Sequence, residues 1–219
     1  MPIEVTKTLY YYEDLDDKAK EKAREWYRTA SAGDSFWSER VIEDAANMAD
    51  VLGIDLRTRR VTLANGGHRY EPTIYWSGFW RQGDGACFEG TYKYAKGSTE
   101  KIRKEVPKDE VLHKIADRLA AVQRSFWWQL VASVKHRGHY CHEHCTDIDV
   151  GLMDIFFAVP KNDAFEEACE EVRDCLRDFM RWIYKSLEKE YEWVNSDEIV
   201  AETIIDNEYT FNEEGKRDD

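Results

Sequence analysis

Apolar residues recur along the first part of the chain at the three- and four-residue intervals of an amphipathic helix. Leu15, Ala19, Ala23, Trp26 and Ala30 share one face, which predicts a helix over 14–30, closed by Gly33. Asp34 and Ser35 then offer a cap for a second helix, which places Trp37, Val41, Ala45, Met48 and Leu52 on one side and stops at Gly53. Beyond it the period falls to two. Val61 and Leu63 lead into Asn65-Gly66-Gly67, and the run 73–80 follows, so the spacing predicts a hairpin, with Pro72 at an edge or a bulge. Ala86, Phe88, Gly90, Tyr92 and Tyr94 alternate with polar neighbours.

After Pro107, Leu112, Ile115, Leu119 and Val122 return to helical spacing, and Trp128, Leu130, Ala132 and Val134 alternate again as a strand. The longest pattern begins at a cap near Asp163 with Glu166 three residues on. Its stripe is Phe165, Cys169, Val172, Leu176, Phe179, Ile183 and Leu187, and no Gly or Pro interrupts 163–192, so one continuous helix is predicted there. Such a stripe either covers a sheet or meets a second copy of the chain, which makes a homodimer an alternative arrangement. A helix over 196–206 and a short strand over 209–211 close the pattern. Strands over 60–63, 73–80, 86–94 and 128–136 are joined by turns rather than by repeated helical crossovers. The expected fold is therefore α+β, a mainly antiparallel sheet packed by helices, in one domain over 1–212 with a disordered charged tail over 213–219.

Composition supports one sizeable core: 219 residues are 42% hydrophobic and 13% aromatic. Charge narrows the partners. The 44 Asp and Glu against 31 Lys and Arg leave a net −13, which disfavours direct nucleic-acid binding and anionic membranes and favours a protein partner with a basic surface. Tyr10-Tyr11-Tyr12 offers aromatic contact area for such a partner. No apolar run reaches the ~18 residues of a membrane span, and Met1-Pro2-Ile3-Glu4-Val5 lacks the parts of a signal peptide, so a cytoplasmic protein is expected. Five cysteines do not read as a disulfide framework.

Candidate chemistry concentrates in two motifs. His136-Arg137-Gly138-His139-Tyr140-Cys141-His142-Glu143-His144-Cys145 holds four of the six histidines and two of the five cysteines. His139, Cys141, His142, His144 and Cys145 are candidate metal ligands, with zinc as the metal, although no standard finger spacing is present. A thiolate nucleophile at Cys141 or Cys145 is a further reading. Upstream, Gln82-Gly83-Asp84-Gly85-Ala86-Cys87-Phe88-Glu89-Gly90 places two carboxylates in a glycine-rich turn. Gln82, Asp84, Glu89, His136, Arg137 and His139 are the candidate ligand-binding residues. The bland alternative has Asp84 fixing a turn and Glu89 facing solvent. A strand rather than a helix follows Gly83-x-Gly85, so a dinucleotide or P-loop phosphate site is rejected.

Ser77-Gly78-Phe79, Gln82 to Gly90, Lys135-His136-Arg137-Gly138-His139-Tyr140 and Asn207-Glu208-Tyr209-Thr210-Phe211 together resemble an uncharacterised family encoded by phages and prophages, some of whose members carry an antitoxin-like label. The resemblance implies an accessory protein of mobile genetic elements and carries over no reaction, substrate or binding residue. The hairpin at Asn65-Gly66-Gly67 looks like an insertion relative to a shorter form, and Cys141 and His144 depart from it. Two classes of function follow. The favoured one is a binder that modulates or neutralises a host-defence or toxin protein. The alternative is a metal-dependent hydrolase or nucleotide-like ligand sequestering protein using Asp84, Glu89 and the histidine cluster.

Overall fold

The apolar periodicities become six α-helices and ten strands in the computed structural model, which describes residues 7–64, 66–153 and 162–217. All strand pairings among the described residues are antiparallel, and the protein is α+β. The chain divides into two compact units, Met1–Glu39 with Lys189–Asp219, and Arg40–Glu188.

In the smaller unit, β1 (Tyr10–Tyr11) leads through a 3-10 turn at Tyr12–Asp14 into α1 (Asp17–Ala30). Asp16 caps α1 by accepting from the Ala19 N–H at 2.7 Å. Near the other end of the sequence, Ser196 caps α6 (Asp197–Asp206), which is followed by β10 (Thr210–Phe211) paired with β1. Tyr12, Leu15, Ala19, Ala23, Val200, Ile204 and Phe211 form the core. The tyrosine run is therefore divided: Tyr11 is exposed, whereas Tyr12 is buried and its hydroxyl accepts from Arg24 Nη1 at 2.7 Å. Residues 212–217 form a turn. Asn212 Oδ1 accepts from the Glu214 and Lys216 N–H groups at 3.0 and 2.9 Å, and Gly215 packs so closely on Ala19 O that a Cβ would lie 2.0 Å from it. The charge pattern of this segment gave no sign of that turn.

The larger unit is built on a four-stranded sheet in the order β2 (Ile54–Leu56), β7 (Gly90–Lys93), β8 (Leu130–His136), β9 (Thr146–Leu152). Alternation sends Ile54, Tyr92, Leu130, Ala132, Val134, Ile148 and Val150 to a buried face and leaves Asp55, Thr91, Lys135, Asp147 and Asp149 exposed on the other. α4 (Glu110–Ser125) and α5 (Asp163–Val194) cover the buried face. Gln123 of α4 is fully buried, donates to Leu130 O at 2.7 Å and to Tyr92 Oη at 3.2 Å, and accepts from the Leu130 N–H at 3.1 Å. Arg173 of α5 donates from Nε to Ile148 O at 3.2 Å. The whole α5 stripe from Phe165 to Leu187 is buried within the chain, so it serves the core. Each such fully buried side chain contributes about 1.5–3 kcal/mol. Among the described residues no helix is long and apolar enough to cross a membrane.

Two ribbons complete this unit, and here the structure departs from the expected strands. β3 (Thr58–Thr62) pairs with β4 (His68–Pro72), not with 73–80, with Pro72 at the ribbon end opposite Thr58. A two-stranded ribbon is all edge, which is where a residue without an N–H fits. The run 73–80 yields only β5 (Ile74–Trp76), paired with β6 (Ala86–Phe88). The expected strand 86–94 breaks at Glu89, because β6 and β7 follow different partners. Trp127 and Trp128 stand at φ 50° and 65°, so β8 begins after a left-handed turn rather than at Trp128. β1, β2, β4, β9 and α3 (Ser98–Glu105) are additional to the predicted elements.

Candidate functional site

The two chemistry-bearing motifs are both connections. Residues 77–85 join β5 to β6, and residues 137–145 join β8 to β9. They meet through two glycines. A Cβ on Gly83, whose φ is 96°, would lie 2.7 Å from the Tyr140 ring, and a Cβ on Gly85 would lie 2.7 Å from His142 Cα. The glycines thus permit contact between the loops rather than cradling a phosphate.

Asp84 is spent on its own turn. Its carboxylate accepts from the Trp80 and Arg81 N–H groups at 3.0 and 2.7 Å and from the Ser77 hydroxyl, and the Arg81 N–H bond foremost holds it below the usual carboxylate range. His136 faces elsewhere. Its ring stacks on Tyr75 at 4.5 Å, and its Nε2 lies 2.9 Å from Tyr140 O. Asp84 and His136 therefore have separate partners, Asp84 within its own loop and His136 on Tyr75 and Tyr140.

Glu89, expected on the polar face of its strand, is half-buried at the break between β6 and β7. It accepts from Arg57 Nη1 at 3.0 Å and from the His136 N–H at 3.3 Å, so it ties β8 to the β2 end of the sheet. It lines an open cleft of about 290 Å³ together with Asp55, Arg57, Thr91, Ser133 and Lys135. Asp84 is not among the cleft's residues. Arg137 pairs with Asp147 at 2.5 Å, and Gln82 and His139 are exposed.

The cluster's charge centre is Glu143, which the sequence reading passed over. Burial raises its pKa, but hydrogen bonds from its own backbone N–H and from Arg181, with His142 and Arg181 nearby, outweigh this and lower it. Its carboxylate lies 3.2 Å from Arg181, 3.5 Å from His142 Nδ1 and 3.8 Å from His144 Nε2. The partner sits on α5, far along the chain, and only the Glu-flanked histidines hinted at it. His139, Cys141, His142, His144 and Cys145 do not converge, and among the described residues no three His, Cys, Asp or Glu side chains form a group able to hold a metal ion. Cys87 and Cys141 are not primed as thiolates. Burial, followed by the neighbouring Cys141 and Cys145, pushes Cys87 up to about 12, and burial raises Cys141.

Residues 37–197 match the family model described as Domain of unknown function (DUF8835). The chain belongs to this family. The matched span of the DUF8835 chain contains both loops, the cleft beside Glu89 and all of β2 to β9. No curated protein and no solved structure matches it.

Proposed function

We propose that this DUF8835 chain is a phage- or prophage-type accessory protein that binds a host-defence or toxin protein, with the smaller unit meeting a basic surface on that partner. The supporting observation is where the charge lies. Met1–Glu39 and Lys189–Asp219 carry 20 Asp and Glu against nine Lys and Arg, whereas Arg40–Glu188 carries 24 against 22, so nearly the whole net charge belongs to one unit. α6 concentrates it: Glu198, Glu202 and Asp206 are all exposed at i, i+4 and i+8, and the helix has no basic residue. Such spacing costs helix stability through like-charge repulsion, and Asp206 opposes the helix dipole. A face maintained against these costs is suited to recognition, where complementary charge steers encounter. Catalysis has weaker support, since Asp84 and Glu89 are committed to structural hydrogen bonds.

The test is capture of proteins from a host lysate by the wild type and by a Glu198→Lys/Glu202→Lys/Asp206→Lys variant, read by mass spectrometry. A basic protein held by the wild type, released between about 0.1 M and about 0.5 M salt and lost by the variant, is the expected result. Capture indifferent to both salt and charge reversal sinks this reading. A second reading, sequestration of a nucleotide-like anion, is favoured by one observation, the placement of Arg57 and Lys135 on the rim of the Glu89 cleft. It predicts that Arg57→Ala abolishes nucleotide binding measured by calorimetry.

A further inference from the structure

In the smaller unit, three aromatic rings stand together beside the core without being fully buried: Trp26 and Tyr27 on α1 and Tyr209 after α6. Trp26 and Tyr209 form a corner, with ring centroids 5.4 Å apart and planes at 83°, and Tyr27 lies 6.3 Å from each. Phe211 backs Trp26 at 5.5 Å. The open side of this corner holds a cation. The Arg217 guanidinium carbon is 4.5 Å from the Tyr209 centroid and 4.9 Å from the Trp26 centroid. A planar, weakly hydrated guanidinium suits such ring faces better than a compact ammonium does.

We infer that Trp26, Tyr27 and Tyr209 form a recognition site for an arginine side chain of a basic protein partner, and that Arg217 occupies it in cis until the partner's arginine takes its place. This rests on the proposed function and specifies how the acidic unit would select among basic partners. Two features favour exchange over a permanent staple. Arg217 is exposed although it lies on two rings, and exposed cation–π contacts are the weaker ones. The turn that delivers it is anchored upstream at Asn212 and Gly215, so Arg217 can leave without undoing those contacts. The unit's net charge of −11 also rewards an incoming arginine that arrives with further basic residues.

The test compares fluorescein-labelled peptides of nine arginines and of nine lysines, binding the full chain, by anisotropy. The wild type should prefer the arginine peptide. If Arg217 fills the corner about nine-tenths of the time, Arg217→Ala should tighten arginine-peptide binding about tenfold and lysine-peptide binding far less. Arg217→Lys should fall between the two. Tyr209→Ala should erase the arginine preference while leaving charge-driven binding, and Tyr209→Phe should keep it, with circular dichroism verifying the fold of each. Equal binding of both peptides, or no tightening in Arg217→Ala, overturns the inference, and neither readout depends on a variant that threatens the core. The α6 charge reversals separate the two proposals. Weaker binding of both peptides together with silent Arg217 variants removes the aromatic site alone, and binding unaffected by the reversals removes the acidic contact surface.

Discussion

A Cβ on Gly85 would sit 2.7 Å from His142 Cα, a backbone neighbour that cannot swing aside, so Gly85→Ala must push the two loops apart. The expected cost is about 1–3 kcal/mol, as for other overpacked sites, read as a lower urea midpoint. Gly33→Ala, with nothing within 4 Å and no positive φ, should be close to neutral in the same assay. The buried thiols make a second expectation. Burial pushes Cys87 and Cys175 up to about 12, so both are harder to ionise in the folded chain than in the unfolded one. Their contribution is whole below the unfolded thiol value near 8.5 and is lost as pH rises towards about 12. The urea midpoint should therefore fall between about pH 8 and about pH 10.5, and Cys175→Ala should flatten the fall. A midpoint that rises over that range contradicts the burial of these thiols. Asp84 was legible as a turn residue because the flanking Gly83 and Gly85 are local signals. Glu143 was not, since Arg181, which makes it a charge centre, lies on a helix that no local pattern links to the cluster.

α6 joins two opposed demands. Ser196 caps it by accepting from the Ile199 N–H, and Ser196→Ala should cost about 1 kcal/mol. Its exposed carboxylates work against it, so Glu202→Gln should raise stability by about 0.3–0.5 kcal/mol by relieving repulsion from Glu198 and Asp206, while weakening capture of a basic partner. If Glu202→Gln destabilises the chain in a thermal melt, the carboxylate has a structural partner and the recognition argument loses its footing. Long elements were the readable ones: α5 announces itself by an unbroken stripe, and the structure runs it from Asp163 to Val194. β9 carries its own signal, with Thr146, Ile148 and Val150 buried in alternation, yet it follows directly on a cluster read for chemistry rather than period. α3 has Ile102 as its only fully buried apolar side chain, and β2 spans three residues, too few for either period to register. The partner of β3 was misread because Pro72 makes 68–72 look less like a strand than the apolar run after it, whereas a ribbon end tolerates proline.

At the scale of the whole molecule, a net −13 reads from the sequence as a diffuse property, and only the division into units shows it to be local. Linear order hides this, because the acidic unit is assembled from Met1–Glu39 and Lys189–Asp219. The imbalance also has an energetic signature that needs no partner. Asp197 receives Arg24 and Arg28, Glu21 shares Arg24 with it, and Glu214 pairs with Lys216, but nine basic residues cannot neutralise 20 acidic ones. Screening weakens the ion pairs and the repulsions alike, and where repulsions outnumber pairs the balance favours the folded unit. Backbone amides of α1 and α6 should therefore exchange hydrogen more slowly in about 0.3 M salt than in about 0.02 M, whereas those of β8 and β9, in a unit near neutrality, should change little. Hydrogen exchange read by mass spectrometry resolves these segments in one experiment. Faster exchange in α1 and α6 at the higher salt would mean that the Arg24 and Arg28 pairs with Asp197 outweigh the summed repulsion, and the acidic face would then be a structural device rather than a surface kept for a basic partner.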